Sequence, residues 1–186
     1  IAKVLTNYVI HKGTVKENER EIYEYGFLVF LEKSLFLMIC FCISAVLRTI
    51  PESILFFVIF IPLRSYAGGL HLDKYWACFS LSCLTFVIIM ILGKYLKLPI
   101  LILLVAFLML EIAVYSMYPV ENVNRPVDEE ENIYFKKRLR QFLILDSVIA
   151  VIISLCKEYT YLQTITLTLF MVTITMAIGK HRNNKK

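Results

Sequence analysis

Residues 64–78 read RSYAGGLHLDKYWAC, and they combine a cation, two adjacent glycines, an imidazole and a thiol. Cys78 supplies a thiolate nucleophile, and His71 a base able to take its proton and return it, so the chemistry open to the pair is acyl transfer at a carbonyl. Spacing restricts that chemistry. On one straight helix the seven steps from His71 to Cys78 separate the backbones by about 10.5 Å, too far for a direct hydrogen bond in most rotamers. The chain must bend, and Gly68 and Gly69 permit the positive φ and close backbone approach that a bend requires. Asp73 is a good N-cap for a helix that starts just before Cys78, which would set the thiol near the positive end of the helix dipole. The same aspartate is alternatively a group that orients His71. A capped loop followed by an ordinarily packed thiol is the competing reading of these residues.

The elements that must position them are apolar. The chain of 186 residues is 59% hydrophobic and 19% charged, well above the roughly 45–50% apolar content of a soluble domain, with a mean hydropathy of +0.69. Runs at Phe27–Leu47, Tyr75–Gly93 and Ile100–Tyr118 come close to the roughly 20 residues that cross a bilayer. Ser53–Leu63, Phe142–Cys156 and Tyr161–Gly179 are less ideal. The first of these is too short unless it extends through RSYAGG. The last carries five threonines whose hydroxyls can bond back to the helix. The expected fold class is therefore all-α: a polytopic helical membrane protein of about six transmembrane segments, the second short or broken, preceded by an N-terminal amphipathic helix.

Six spans put both ends of the chain on one side, together with Arg64, Lys74 and the Arg125–Arg140 cluster. Fifteen of the twenty Lys and Arg then share that side, and Arg48, Lys94, Lys97 and Lys157 face the other. The excess of basic residues in cytoplasmic loops predicts a multi-pass cell-membrane protein with both termini and the RSYAGGLH loop in the cytoplasm. Residues 1–25 form an interfacial segment, 26–179 a single transmembrane domain and 180–186 a basic cytoplasmic tail. Within the first of these, Ile1, Val4, Leu5, Tyr8 and Val9 share one helix face. That stripe suits a helix lying in the membrane interface, or equally a soluble helix packed on the cytoplasmic loops. The acidic DEEE at 128–131 and basic KKRLR at 136–140 read as a solvated connector ending in a membrane-surface anchor, or as a grip on a substrate. The five cysteines are odd in number and lack a CxxC spacing, so neither a disulfide framework nor a metal site is expected.

The string Arg64-Ser-Tyr-Ala-Gly-Gly-Leu-His71 with Cys78 resembles the signature of the accessory gene regulator B family, membrane endopeptidases that process quorum-sensing peptide precursors in Gram-positive bacteria. The likeness extends to chain size, spans, the basic amphipathic start and the YPVENVNRP stretch at 118–126. It implies a cysteine endopeptidase with Cys78 as nucleophile and His71 as base. The enzyme would cut off the C-terminal tail of a short precursor through an acyl-thioester, and a cysteine or serine of the precursor would then close a thiolactone or lactone. The implied partners are the bilayer, a precursor whose tail is acidic and a second copy of the chain as a homodimer, with no cofactor and no nucleic acid. Arg64 would hold a carboxylate of the tail, or else anchor at the interface or bond the loop. Gly68 and Gly69 would offer N–H groups to an oxyanion, or simply the turn. Asp73 completes the supporting set.

Glu32, Lys33, Glu111 and Asp146 lie inside apolar runs, where ionisable groups face the bundle interior or a wet cavity. They favour the rival reading of a small peptide transporter, against which stand the lack of an internal repeat and of a P-loop. The topology is directly testable. In a background without native thiols, Lys157→Cys should react with a membrane-impermeant reagent on intact cells, and Asn184→Cys should not. Ready labelling at position 184 would overturn the orientation.

Overall fold

In hydrocarbon the backbone has no water to bond, so each apolar run must satisfy its N–H and C=O groups internally and becomes a helix. The computed structural model describes residues 1–13, 16–70, 75–119 and 128–183. Among these it contains seven α-helices and no strand: α1 Ala2–His11, α2 Arg20–Leu47, α3 Ile50–Ala67, α4 Tyr75–Tyr95, α5 Ile100–Met117, α6 Glu129–Leu155 and α7 Tyr159–Asn183. Five of them, α2, α3, α4, α5 and α7, are long and apolar enough to cross a membrane. The chain is an all-α polytopic membrane protein.

Two details differ from the expectations. The second span is short, as expected, yet continuous: α3 begins with Pro51 in its first turn, runs past Pro62 and gains its length by carrying the helix through Arg64-Ser-Tyr-Ala67, reaching 18 residues. The acidic and basic blocks expected in a connector lie instead on α6, which starts at Glu129 and runs for 27 residues, about 40 Å. Its start has a local cause. The Asp128 carboxylate accepts the Glu131 N–H at 2.7 Å, and Glu129, Glu130 and Glu131 place negative charge on the positive end of the helix.

Residues 1–43 form one compact unit and residues 44–186 another. In the first, α1 is tied to the start of α2 by polar contacts. Arg20 donates to Asn7 Oδ1 at 2.5 Å and to Glu17 Oε1 at 2.6 Å, and Lys3 lies 3.8 Å from Glu24. Thr6 is fully buried, with its hydroxyl bonded to the Ala2 carbonyl. Of the apolar stripe on α1, Ile1, Val4 and Tyr8 are exposed while Leu5 and Val9 are half-buried.

In the second unit α7 is the hub and touches α3, α4, α5 and α6. Leu162, Ile165, Leu169, Val172 and Met176 form its buried stripe. They meet Ile59, Leu63 and Ala67 of α3, Leu103, Phe107 and Val114 of α5, and Leu139, Leu143 and Ala150 of α6. The threonines of α7 are compatible with this position because they satisfy themselves. Thr164, Thr166, Thr168 and Thr173 donate to the carbonyl four residues back at 2.7–3.0 Å, and Thr175 to that of Val172.

Two hairpins close by the same device. Arg48 and Lys157 take the left-handed conformation, with φ of 56° and 61°. The N–H that follows each returns to its helix, Thr49 to Ser44 O at 2.9 Å and Glu158 to Ile153 O at 3.2 Å, the six-to-one bond of a Schellman turn. The break between α4 and α5 is closed from α7. Gln163, 3% exposed, donates through Nε2 to the carbonyls of Leu92 and Leu96 and accepts from Leu98 N at 3.2 Å. Gln163→Leu keeps the bulk but strands Leu96 O and Leu98 N, at about 1–3 kcal/mol for each one left unsatisfied, while Leu92 O keeps its bond from Leu96 N. A clearly lower melting temperature of the purified protein is expected, and an unchanged one would show that the bridge does not stabilise the bundle.

Candidate functional site

The site begins where α3 ends. A helix leaves its last carbonyls without partners, and Arg64, four residues before the C-cap, is placed to reach them. Its Nη1 donates to Gly68 O at 2.7 Å and its Nη2 to Leu70 O. Gly68 turns the chain with φ 79° and ψ −151°. Gly69 follows with φ 136°, and a Cβ built on it would lie 1.8 Å from Arg64 Nη1 and 2.9 Å from Cζ. The glycine pair thus has two uses. It supplies backbone angles that L side chains avoid, and it leaves empty the space that the guanidinium fills. Leu70 N then bonds Thr175 O on α7 at 2.9 Å, which fastens the loop to the hub of the bundle.

The chain re-emerges as α4, which packs beside α3. Cys78 is its fourth residue and is half-buried, and Ser82 Oγ donates to the Cys78 carbonyl at 2.9 Å. The Arg64 guanidinium lies within electrostatic reach of the Cys78 thiolate. The structure therefore brings together Arg64, Gly68, Gly69 and Cys78 at the junction of α3 and α4. The turn expected at Gly68 and Gly69 is present, whereas His71 and Asp73, the expected base and the expected cap, lie outside the described residues. Cys40 and Cys83 sit within the α2 and α4 spans, and Cys42 and Cys156 are exposed.

The paired hydrogen bonds of Arg64 to the loop are one of the alternatives that the sequence left open for this residue. One feature of the site escaped the sequence reading: the Thr175 anchor, 105 residues from Leu70, which no local pattern announces. A double-mutant cycle tests the steric half of the arrangement. Gly69→Ala should destabilise the protein by roughly 1–3 kcal/mol, in the range for strained backbone with displaced packing. The cost should shrink when Arg64→Ala has already emptied the space, leaving only the φ strain. Strictly additive losses would show that the guanidinium and Gly69 do not compete for one volume.

No curated protein and no solved structure matches the chain. The accessory gene regulator B family matches it from residue 2 to residue 176, a range that holds α1 to α6, most of α7 and the whole of the site just described. The chain belongs to the accessory gene regulator B family and works in the processing of the quorum-sensing precursor peptide.

Proposed function

We propose that the protein is a membrane-embedded cysteine endopeptidase that removes the C-terminal tail of a quorum-sensing precursor and promotes cyclisation of the remainder. The observation that carries this reading is the Arg64 clamp. It pre-orders the loop leading to His71 and sets a guanidinium within electrostatic reach of the Cys78 sulfur, a cation suited to a thiolate and to the oxyanion that follows from it. Family membership supplies the substrate class.

In the proposed reaction His71 takes the Cys78 proton and the sulfur attacks the scissile carbonyl. The C–N bond breaks, His71 returns the proton to the departing amine, and the tail leaves. The N-terminal part remains as an acyl-thioester on Cys78. A cysteine or serine of the precursor, its proton accepted by His71, attacks that thioester, closes the thiolactone or lactone and restores the Cys78 thiol. Arg64 engages carbonyls through Nη1 and Nη2 but has five N–H donors in all. The remainder are available to a carboxylate of an acidic tail. Gly68 and Gly69 offer backbone N–H groups to the oxyanion or simply supply the turn, and Asp73 caps α4 or orients His71. A homodimer in the bilayer is the proposed assembly, and the cytoplasm the proposed side of the catalytic loop.

Catalytic and packing residues separate cleanly by experiment. Cys78→Ala and His71→Ala should lower precursor cleavage on the order of 10³-fold or more with membrane abundance nearly unchanged. Cys40→Ala, Cys83→Ala and Cys156→Ala should keep cleavage and lose only a modest amount of stability. Wild-type protein given a precursor whose ring-forming residue is alanine should accumulate a hydroxylamine-sensitive adduct that Cys78→Ala lacks. Near wild-type cleavage by Cys78→Ala would refute the mechanism and favour the transporter. Cleavage that needs Cys78 but yields no ring from any native precursor would make the enzyme a plain hydrolase.

A further inference from the structure

Away from Cys78, α5 and α6 bury two carboxyl groups. Asp146 is 2% exposed and takes a position between Leu143 and Ala150 on the stripe by which α6 faces the core. Its charge interacts with that of Glu111 on α5. Ser147 Oγ donates to Glu111 Oε2 at 2.6 Å, while Glu111 Oε1 and Asp146 Oδ2 are buried without any hydrogen-bond partner. Both residues lie well inside their helices. Glu111 is six residues, about 9 Å, from the end of α5, and Asp146 nine residues, about 14 Å, from the end of α6. A cleft of about 390 Å³ between the two helices is lined by Glu111 and Ser147 together with Tyr115 and Arg140.

Two ionised carboxylates cannot share such a place without a cation, because desolvation and mutual repulsion both act against the second charge. The surroundings offer none at close range. Neither Glu111 nor Asp146 forms an ion pair with a described residue. On α5 and α6 the nearby cations are Arg140 on the cleft wall and Lys136 over the Tyr115 ring, neither of them paired with a carboxyl. From α3 and α7 no charged group acts on Glu111 or Asp146, and the hydroxyls of the α7 threonines donate to α7 carbonyls. A hard metal ion takes roughly six or more oxygens, and the described residues offer only these two carboxyls and one hydroxyl. A proton needs less. It removes one of the like charges and turns one buried acceptor into a donor.

We propose that Glu111 and Asp146, supported by Ser147, form a proton-binding site inside the bundle that exchanges through the α5–α6 cleft. It is distinct from the Cys78 site and does not depend on the peptidase reading. Infrared spectroscopy of the full chain in lipid nanodiscs tests it. At neutral pH, where exposed carboxyls with a pKa of about 4 are ionised, the wild type should show a protonated-carboxyl C=O band that shifts in D₂O and is diminished in Glu111→Gln/Asp146→Asn. A wild type with no such band at neutral pH, or equal bands in wild type and variant, would overturn the proposal. Loss of the band on raising sodium or potassium at fixed pH would also overturn it, naming an alkali cation as the occupant. Should the variant fail to fold, the wild type alone decides: a band that has vanished once the pH exceeds that of exposed carboxyls refutes the site.

Discussion

Wherever a helix stops inside an apolar bundle, its last carbonyls lose their partners, and hydrocarbon supplies no substitute. That constraint runs through the whole second unit. The chain meets it with side chains: Arg64 takes Gly68 O at the C-cap of α3 and Leu70 O in the loop beyond, and Gln163 takes carbonyls at and just past the end of α4. Backbone alone suffices at Arg48 and Lys157, where a single left-handed residue returns the next N–H to the helix. α7 supplies Gln163 and the Thr175 carbonyl, so one helix organises both the hydrophobic core and the repair of the breaks around it.

The loop before Cys78 inherits its order from the same requirement. Arg64 is held by two carbonyls, so its guanidinium stands fixed before any substrate arrives. A preorganised cation stabilises developing negative charge without reorganising during the reaction, which is the largest single source of catalytic power in many enzymes. Gly69 makes this possible by what it lacks, since any Cβ would occupy the guanidinium's volume. The side chain that bonds the loop after α3 thus also lies within electrostatic reach of Cys78.

Much of this was legible in the chain. Apolar runs near 20 residues announce helices because hydrocarbon admits hardly any other backbone, and α2, α4 and α5 coincide with such runs. α3 and α7 grow from the less ideal runs, and the sixth run expected to span, Phe142–Cys156 on α6, is not among the five helices long and apolar enough to cross. The threonines of α7 were legible as self-satisfying, and they are. The start of α6 was not: acidic residues at 128–131 resemble a solvated connector by composition, and only the Asp128 cap with the favourable dipole makes them a helix start. The reach of α3 through Arg64 was one of two readings open in the sequence, since the apolar run alone is too short to span, and the structure takes it as far as Ala67. At the site, the residue types and the need for a bend near Gly68 and Gly69 follow from spacing, whereas the partners of Arg64 do not.

What the sequence by itself determined is local or compositional: an all-helical membrane protein, a glycine turn at 68–69, and a thiol on the helix that follows. These depend on hydropathy, on φ preference and on residue type, all of which are written within a window of some 20 residues. The tertiary structure alone decided which helix is central, which carbonyl receives Leu70 N, and which carboxyl lies near Asp146. Glu111 and Asp146 are 35 positions apart, and Leu70 and Thr175 are 105 apart. Such pairs are chosen by how whole helix faces pack, and packing sums over every contact along α5, α6 and α7 rather than over any one stretch of chain.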